Sequence, residues 1–153
     1  MAMSPATGTG PTGNHLLDRL PKGESHRILE LMETMPLPLG REVVQQDGPL
    51  SHVLFPISGM VSLVVLMEDG RVAEASTVGR EGIVGVSAML SQDSSPATAT
   101  SQVAGHALSL PVHGFLEEIA RGGTFERLVR RYAAYTLRYA NQTVACNLLH
   151  SVE

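Results

Sequence analysis

The chain has 153 residues, 43% of them hydrophobic, and a formal net charge of −4 from 11 Lys and Arg against 15 Asp and Glu. This length suits one domain with a sizeable core. The negative charge and the single lysine argue against nucleic-acid binding by this chain alone, because such binding depends on dense cationic contacts to phosphate. The single cysteine, Cys146, excludes an intrachain disulfide and a cluster held by several thiolates, and it favours a cytoplasmic location. No apolar run reaches the roughly 18 residues that a membrane span requires.

The N-terminal part is predicted to be a tail followed by two short helices. Residues 1–13 are small, polar and rich in Gly and Pro, which predicts a disordered tail and not a signal peptide. Asn14 is placed to cap the first helix. Pro36 and Pro38 are predicted to end the second, since proline disfavours helix in the residue before it. The apolar faces of the two helices carry Leu16, Leu17 and Leu20, then Ile28, Leu31 and Met35.

The middle of the chain, from Leu39 to Val112, is predicted to be all β. Short apolar runs alternate with turn signals, including Asp47-Gly48-Pro49 and Ser58-Gly59, a pattern that favours a sandwich or roll over a parallel sheet. The clearest element is a hairpin in which two β-branched runs flank Glu68-Asp69-Gly70. Asp-Gly supplies the positive φ angles of a tight type I′ turn, which we therefore predict there.

The last part, from His113, is predicted to be helical. A short helix closes at Gly122-Gly123, and Thr124 is placed to cap a long final helix. Residues on one side of that helix follow each other in strict three-four alternation, as in a coiled-coil seam. They are Phe125, Leu128, Tyr132, Tyr135, Tyr139, Gln142, Cys146 and Leu149. A second apolar stripe contains Val129, Ala133, Leu137, Ala140, Val144 and Leu148.

Two apolar stripes predict two partners for the final helix: its own β domain and a second copy of the chain. All three tyrosines lie on the narrow seam, and tyrosine suits a partly wet interface. We therefore predict a parallel homodimer through this seam; the alternative is one wide apolar face packed on the home domain. The resulting division of the chain is a tail at 1–13, a β-roll with its helices at 14–123 and a dimerisation helix at 124–153.

Three stretches, Phe55–Gly59, Met67–Arg71 and Val78–Gly85, resemble the sensory domain of the Crp/Fnr family of bacterial transcription regulators. The resemblance extends from about Leu16 to Glu153 and implies a jelly-roll β-roll with a long C-terminal dimerisation helix. In that family the helix continues into a helix-turn-helix domain, so the resemblance implies that this chain stops before one. DNA binding would then require a domain downstream of Glu153.

In the nucleotide-binding members of this family, a cassette of the form G-E-x-x-L…R-x-A holds a cyclic nucleotide. Its glutamate accepts from the ribose hydroxyl and its arginine pairs with the phosphate. Gly85 matches the glycine, but Val86 stands at the glutamate position and Ser95 at the arginine position. The resemblance therefore implies an effector pocket that keeps its place and has lost its nucleotide anchors. The predicted pocket residues are Glu81, Gly82, Val84, Gly85, Val86, Ser95, Pro96 and Ala97.

The sequence carries no catalytic motif, so we expect a non-enzymatic domain with no bound cofactor and an effector that remains unidentified. Two alternatives stay open at this point. One is a cupin-like, metal-dependent enzyme, although His52, His106 and His113 stand singly and lack the H-x-H pair that such a site needs. The other is a free-standing regulatory module that binds partners through the final helix. Cys146 on the seam suggests a small buried hydrophobe more than a redox thiol.

Overall fold

The computed structural model describes residues 4–5, 11–90 and 93–150. Eight strands form two antiparallel four-stranded sheets, ordered β1-β2-β8-β4 and β3-β7-β5-β6, which pack as a jelly-roll sandwich. The strands are β1 Ser4–Pro5, β2 Glu33–Leu37, β3 Glu42–Val44, β4 His52–Pro56, β5 Met60–Leu66, β6 Val72–Val78, β7 Thr98–Val103 and β8 Gly105–Pro111. The helices are α1 Lys22–Leu29, α2 Val112–Arg121 and α3 Thr124–His150, with 3₁₀ turns at Leu17–Arg19 and Val86–Leu90. The predicted fold class, mainly β with flanking helices and a long C-terminal helix, is confirmed.

Two apolar clusters hold these layers together. One lies between the sheets and contains Leu54, Val61 and Val78. The other lies between the first sheet and the helices, where Phe125 of α3 contacts Phe55 of β4 and Phe115 of α2. The ring centroids are 6.2 Å and 5.9 Å apart, respectively, and the rings of Phe115 and Phe125 meet edge to face. Because successive side chains of a strand face opposite sides, β4 supplies residues to both clusters.

The N-terminal tail differs from its prediction where the structure describes it. Residues 1–3 and 6–10 lie outside the described residues. Ser4 and Pro5 form β1, paired with Thr34 and Glu33 of β2. Further on, the backbone N–H and the hydroxyl of Thr12 donate to Asp18 Oδ1 over 2.6 and 2.7 Å. The capping role of Asn14 is confirmed, since its Oδ1 accepts from the N–H groups of Leu16 and Leu17.

The second predicted helix is too long. Helix α1 ends at Leu29, and Met35 lies in β2 opposite Ala107 of β8. Pairing with β8 outweighs the helical spacing of Ile28, Leu31 and Met35, which shows how tertiary contacts override a local pattern. Among the described residues, the pairing of β2 with β1 reaches only Thr34, so the missing N–H of Pro36 interrupts no described ladder on that side.

The predicted hairpin is confirmed, but its turn type is wrong. Among the described non-glycine residues only Asp47 has a positive φ, so Asp69 does not adopt the conformation that a type I′ turn requires. Instead, the N–H of Gly70 donates to the carbonyl oxygen of Met67, and the N–H of Met67 donates to that of Arg71. With Gly70 at φ +84°, this is a three-residue loop closed by a glycine bulge.

Helix α3 begins at Thr124, as predicted, but Thr124 does not cap it through its own side chain. Its hydroxyl accepts from Nη2 of Arg127 at 3.0 Å. The capping acceptor is Glu24 of α1, whose carboxylate accepts from the N–H groups of Thr124 at 3.0 Å and Phe125 at 2.8 Å. Although burial of Glu24 acts in the opposite direction, these backbone hydrogen bonds lower the pKa of its carboxyl group. An acidic side chain at a helix N-terminus is also favoured by the helix dipole.

A buried ion pair joins α1 to α2. The Arg27 guanidinium donates to both carboxylate oxygens of Glu118, over 2.7 and 2.9 Å, and Glu118 is only 3% exposed. This charge-assisted hydrogen bond raises the pKa of Arg27. The bidentate geometry gives the carboxylate two donors where water cannot reach it. The helical layer is therefore fastened at two carboxylates, Glu24 and Glu118.

Candidate functional site

The segment that resembles the nucleotide cassette follows β6 and is fixed at its start. Ile83 and Val84 are each 2% exposed, and Val84 exchanges two backbone hydrogen bonds with Leu54 of β4, 2.8 and 2.9 Å long. Gly85 then leads into the 3₁₀ turn that begins at Val86. A Cβ on Gly85 would lie 3.5 Å from the His52 carbonyl oxygen, so the cassette packs closely on the chain entering β4.

The two positions that the resemblance predicts for the nucleotide anchors carry side chains that cannot replace a carboxylate and a guanidinium. Val86 is apolar and half-buried. Ser95 is 8% exposed, and its hydroxyl donates to the Ala97 carbonyl oxygen at 2.5 Å and accepts from the Ala97 N–H at 3.3 Å. Pro96 between them is exposed. Across the sequence from 82 to 97, Asp93 is the one charged residue, so this segment offers a phosphate no cation.

Helix α3 meets the cassette at Tyr132. A Cβ on Gly82 would lie 2.6 Å from the Tyr132 hydroxyl oxygen, so this close approach requires glycine. Burial raises the pKa of Tyr132, and a hydrogen bond with the backbone of Ile83 opposes that rise. Nearby, the Glu81 carboxylate accepts from the N–H of Gly79 at 3.1 Å. Of the predicted pocket residues, Gly82 therefore lies directly beneath the long helix.

A groove of about 450 Å³ runs between edge strand β6 and α3. The tyrosines of α3 form one wall and follow each other closely, with ring centroids 6.4 Å apart for Tyr132–Tyr135 and 6.3 Å apart for Tyr135–Tyr139. Hydroxyls of β6 and the carboxylate of Glu81 supply the polar part of the lining. The other residues of this tyrosine groove are Ala75, Ser76, Thr77, Thr136, Leu137 and Ala140. The other predicted pocket residues do not line it.

The sequence analysis missed the residue that holds the cassette from outside. Asn14 is fully buried, and its amide donates to the carbonyl oxygens of Pro56 at 2.9 Å and Gly82 at 3.1 Å. The N–H of the next residue, His15, donates to the Arg80 carbonyl oxygen at 2.8 Å. A cap signal at Asn14 was visible in the sequence, but its amide partners lie 42 and 68 residues away.

The predicted dimer seam divides into two parts. Phe125 and Leu128 are 2% and 8% exposed because they pack in the chain's own core. The prediction that the whole seam faces a partner is therefore wrong for these two residues. Tyr132 is half-buried against the same core. Beyond it the seam is exposed, with Tyr135 at 60% and Tyr139 at 47%. Gln142, Cys146 and Leu149 are exposed as well.

Two further features bear on the alternatives. Within the ranges 4–5, 11–90 and 93–150, no three His, Cys, Asp or Glu side chains come together in a way that could hold a metal ion. His52 lies beside Ser51, with its Nδ1 3.0 Å from the serine hydroxyl. None of the helices in those ranges combines the length and apolar character that crossing a bilayer demands.

Residues 34–121 match the family model of the cyclic nucleotide-binding domain. No curated protein sequence matches the chain significantly. Among solved structures, the catabolite activator protein of Thermus thermophilus is 21% identical, with a TM-score of 0.72, over 88% of this chain and 62% of that protein. The chain thus spans less than two thirds of that regulator's length. The sensor domain of the transcriptional regulator DNR from Pseudomonas aeruginosa is 19% identical, with a TM-score of 0.65, over 86% of both chains.

A third similar structure is the N-terminal domain of a transcriptional regulator from Streptomyces coelicolor A3(2), which is 20% identical with a TM-score of 0.63. The match covers 84% of this chain and 89% of that one. At these identities the likenesses establish a shared fold. They say nothing by themselves about the ligand that this chain binds.

Proposed function

The chain belongs to the cyclic nucleotide-binding domain family, and we propose that it is the effector-sensing and dimerisation part of a Crp/Fnr-type transcription regulator. In this proposal it is a non-catalytic cytoplasmic module whose effector is not a cyclic nucleotide. Three of the similar structures are named as a catabolite activator or as parts of transcriptional regulators, which supports the assignment to this class. With a net charge of −4, the 153 residues themselves are not expected to hold DNA.

The proposed change in specificity depends on which side chains occupy the two predicted anchor positions. A cyclic nucleotide brings a phosphate that needs a charge-assisted partner, and a buried phosphate without one loses several kcal/mol. Ser95 cannot serve, because its hydroxyl is already engaged by Ala97 on both its donor and its acceptor side. Val86 has no acceptor for a ribose hydroxyl. The cassette keeps its backbone course and lacks the chemistry that would select a cyclic nucleotide.

We place the effector in the tyrosine groove, where the cassette entrance and α3 meet. Its volume of about 450 Å³ lies within the range of small-molecule sites, and it combines aromatic faces with hydroxyls and the Glu81 carboxylate. A ligand there would touch β6 and α3 at once, so binding would be coupled to the position of the helix. This coupling is what a sensor with a helical output requires.

The dimer in this proposal forms through the exposed part of α3, with a second copy of the chain as its partner. The exposed apolar side chains include Tyr135, Leu137, Tyr139, Val144 and Leu149, between 47% and 78% exposed. Contiguous exposed apolar surface on a soluble protein often marks an interaction site. The three-four spacing of its tyrosines suits a two-fold helix pair.

Calorimetric titration of the purified domain with cyclic AMP and cyclic GMP tests the proposal. We expect no binding with a dissociation constant near or below about 10 μM, equivalent to roughly −7 kcal/mol. The double variant Val86→Glu, Ser95→Arg restores the anchor chemistry and gives the matched comparison, although Pro96 constrains the backbone there. Tight binding of either nucleotide by the unmodified domain would contradict the altered specificity and leave the fold assignment intact.

A further inference from the structure

A second cavity lies at the open end of the roll, away from the tyrosine groove. Its volume is about 450 Å³, and its walls come from β2, β3, β4, β8 and the loop that precedes β4. None of the predicted pocket residues lines it. We call it the roll-end cavity.

The body of the roll-end cavity is apolar. Met35 of β2, Val43 and Val44 of β3 and Leu54 of β4 line it. Leu54 is 3% exposed and belongs to the cluster between the sheets, against which Met35 and Val43 pack. The cavity is therefore a recess in the domain core, and its floor suits the aliphatic or aromatic part of a small molecule.

The polar part of the lining includes Ser109, Arg41 and Glu33. Ser109 of β8 is only 3% exposed, and no buried side-chain oxygen in the described part of the chain lacks a hydrogen-bond partner. Arg41 and Glu33, both exposed, form no ion pair with any described residue. Two unpaired charges of opposite sign in the lining of one cavity are groups available to a ligand.

From this lining we infer that the roll-end cavity binds a small zwitterion with an apolar side chain, of the class of free apolar amino acids. The ligand's carboxylate pairs with Arg41 and its ammonium group with Glu33, while its side chain lies on the apolar floor. A ligand with only a carboxylate leaves Glu33 as a like charge beside it. A ligand with only an ammonium group leaves Arg41 as a like charge beside it.

The cavity shares a wall with the cassette. Leu50 and His52 line the cavity, and a Cβ on Gly85 would lie 3.7 Å from Leu50 Cδ2 and 3.5 Å from the His52 carbonyl oxygen. On the cassette side, the N–H of Leu50 donates to the Asp93 carbonyl oxygen at 3.0 Å. A ligand in the roll-end cavity would therefore press on the same short loop that supports the cassette.

The test is calorimetric titration of the 153-residue protein with three compounds that share one apolar group. L-phenylalanine carries both charges, 3-phenylpropionate only the carboxylate and 2-phenylethylamine only the ammonium group. We expect L-phenylalanine to bind at least about 10-fold more tightly than either analogue, a difference of about 1.4 kcal/mol. Chemical-shift changes at the methyl groups of Met35 and Leu54 locate the bound ligand independently.

Substitutions of Arg41 and Glu33 test whether these two charged side chains bind the ligand. Arg41→Gln and Glu33→Gln are each expected to weaken L-phenylalanine binding about 10-fold or more, because each removes a charge-assisted contact. Arg19→Gln and Glu68→Gln, exposed positions outside the cavity, are the matched controls and leave affinity unchanged. Melting curves verify that each variant folds.

Three outcomes would overturn the inference. One is the absence of L-phenylalanine binding up to about 10 mM. Another is equal or tighter binding of 3-phenylpropionate, which would assign the cavity to simple carboxylates. The third is an affinity that Arg41→Gln and Glu33→Gln leave unchanged. None of them bears on the proposed regulator role, which depends on the cassette and α3 and is tested with cyclic nucleotides.

Discussion

The two halves of α3 share one sequence pattern and have opposite surroundings. In the first half, the apolar side chains of Phe125, Leu128 and Val129 are at most 8% exposed. In the second half, Tyr135, Leu137 and Tyr139 are between 47% and 63% exposed. Three-four spacing therefore predicts that a helix has an apolar face, but the extent of the domain beside it decides which surface covers that face.

The reason for the change lies in the reach of the β-roll. With 27 residues, α3 is about 40 Å long, which exceeds what one small sandwich can cover. Its first turns lie over β4 and α2, where Phe125 meets two other phenylalanines. From Tyr132 onward it passes edge strand β6 and continues beyond the home core. If the exposed half binds a second copy, one helix joins two hydrophobic cores.

Two alanine truncations, one in each half of α3, distinguish most clearly how much each half contributes to stability. Phe125→Ala removes a buried ring from the centre of the core and is expected to destabilise the fold by about 3–5 kcal/mol. Tyr139→Ala, the matched truncation in the exposed half, should change the stability of the folded monomer by less than about 1 kcal/mol. Urea unfolding at low protein concentration measures both. Equal losses would show that the two halves are not energetically distinct.

Introducing negative charges into the exposed half tests whether its partner is a second copy of the chain. Tyr135→Glu with Tyr139→Glu places like charges face to face across a two-fold axis, so the dimer dissociation constant should rise at least about 100-fold, or about 2.7 kcal/mol. Sedimentation velocity at about 100 μM is the measurement. Asn141→Glu adds a charge to the same helix outside the seam and should leave the dimer intact. A monomeric unmodified chain would refute the dimer.

The start of the buried half depends on Glu24. Glu24→Gln weakens the cap of α3 and is expected to lower stability by about 1 kcal/mol at neutral pH. Because the pKa of Glu24 is lowered from its ordinary value of 4.5, its contribution is present above that pH and is lost as pH falls through the folded-state value. Glu30→Gln, at the residue that directly follows the same helix, is the control. Unfolding curves of the unmodified protein and of both variants are measured at neutral and at acidic pH. The difference in stability between the unmodified protein and Glu24→Gln should disappear at acidic pH, and no such convergence is expected for Glu30→Gln.

The smallest expected effect is at Tyr132, the boundary between the halves. Because the folded-state pKa of Tyr132 is raised above 10.0, the stability that its neutral form contributes is present below pH 10 and is lost as pH rises through the folded-state value. Tyr132→Phe should therefore lose about 1 kcal/mol or less at neutral pH and show a weaker decline in alkali. Tyr139→Phe is the matched control. Identical alkaline declines in all three proteins would exclude Tyr132 as the titrating group.

The same distinction between local pattern and distant contact explains how far the sequence alone leads. The hairpin around Gly70, the closure of α2 at Gly122 and the cap at Asn14 were predictable because each depends on neighbours within a few residues. The turn type, the strand around Met35 and the capping of α3 were predicted wrongly. For the strand around Met35 and the capping of α3, contacts from elsewhere in the chain outweigh the local signal, as Glu24 does for Thr124 across 100 residues.

The candidate site follows the same rule. The predicted loss of the nucleotide anchors at Val86 and Ser95 came from the resemblance, which supplied their positions. The roll-end cavity was not, because it assembles Glu33, Arg41, Leu54 and Ser109 from four separate strands or their flanks. Tyr132 was predicted to lie in an interface between copies, and the structure places it beside Gly82 of its own domain.

The geometry of the junction before α3 means that a small tilt there would displace the far end of the helix by a larger distance. Gly122, at φ +71°, ends α2, and among the described residues Glu24 is the one whose side-chain oxygens hold the first N–H groups of the next helix. A tilt of only about 5° about this pivot would displace the far end, about 40 Å away, by roughly 3 Å. A sub-ångström adjustment where Tyr132 contacts Gly82 would thus become, at the far end of the helix, a movement comparable to a side-chain contact distance.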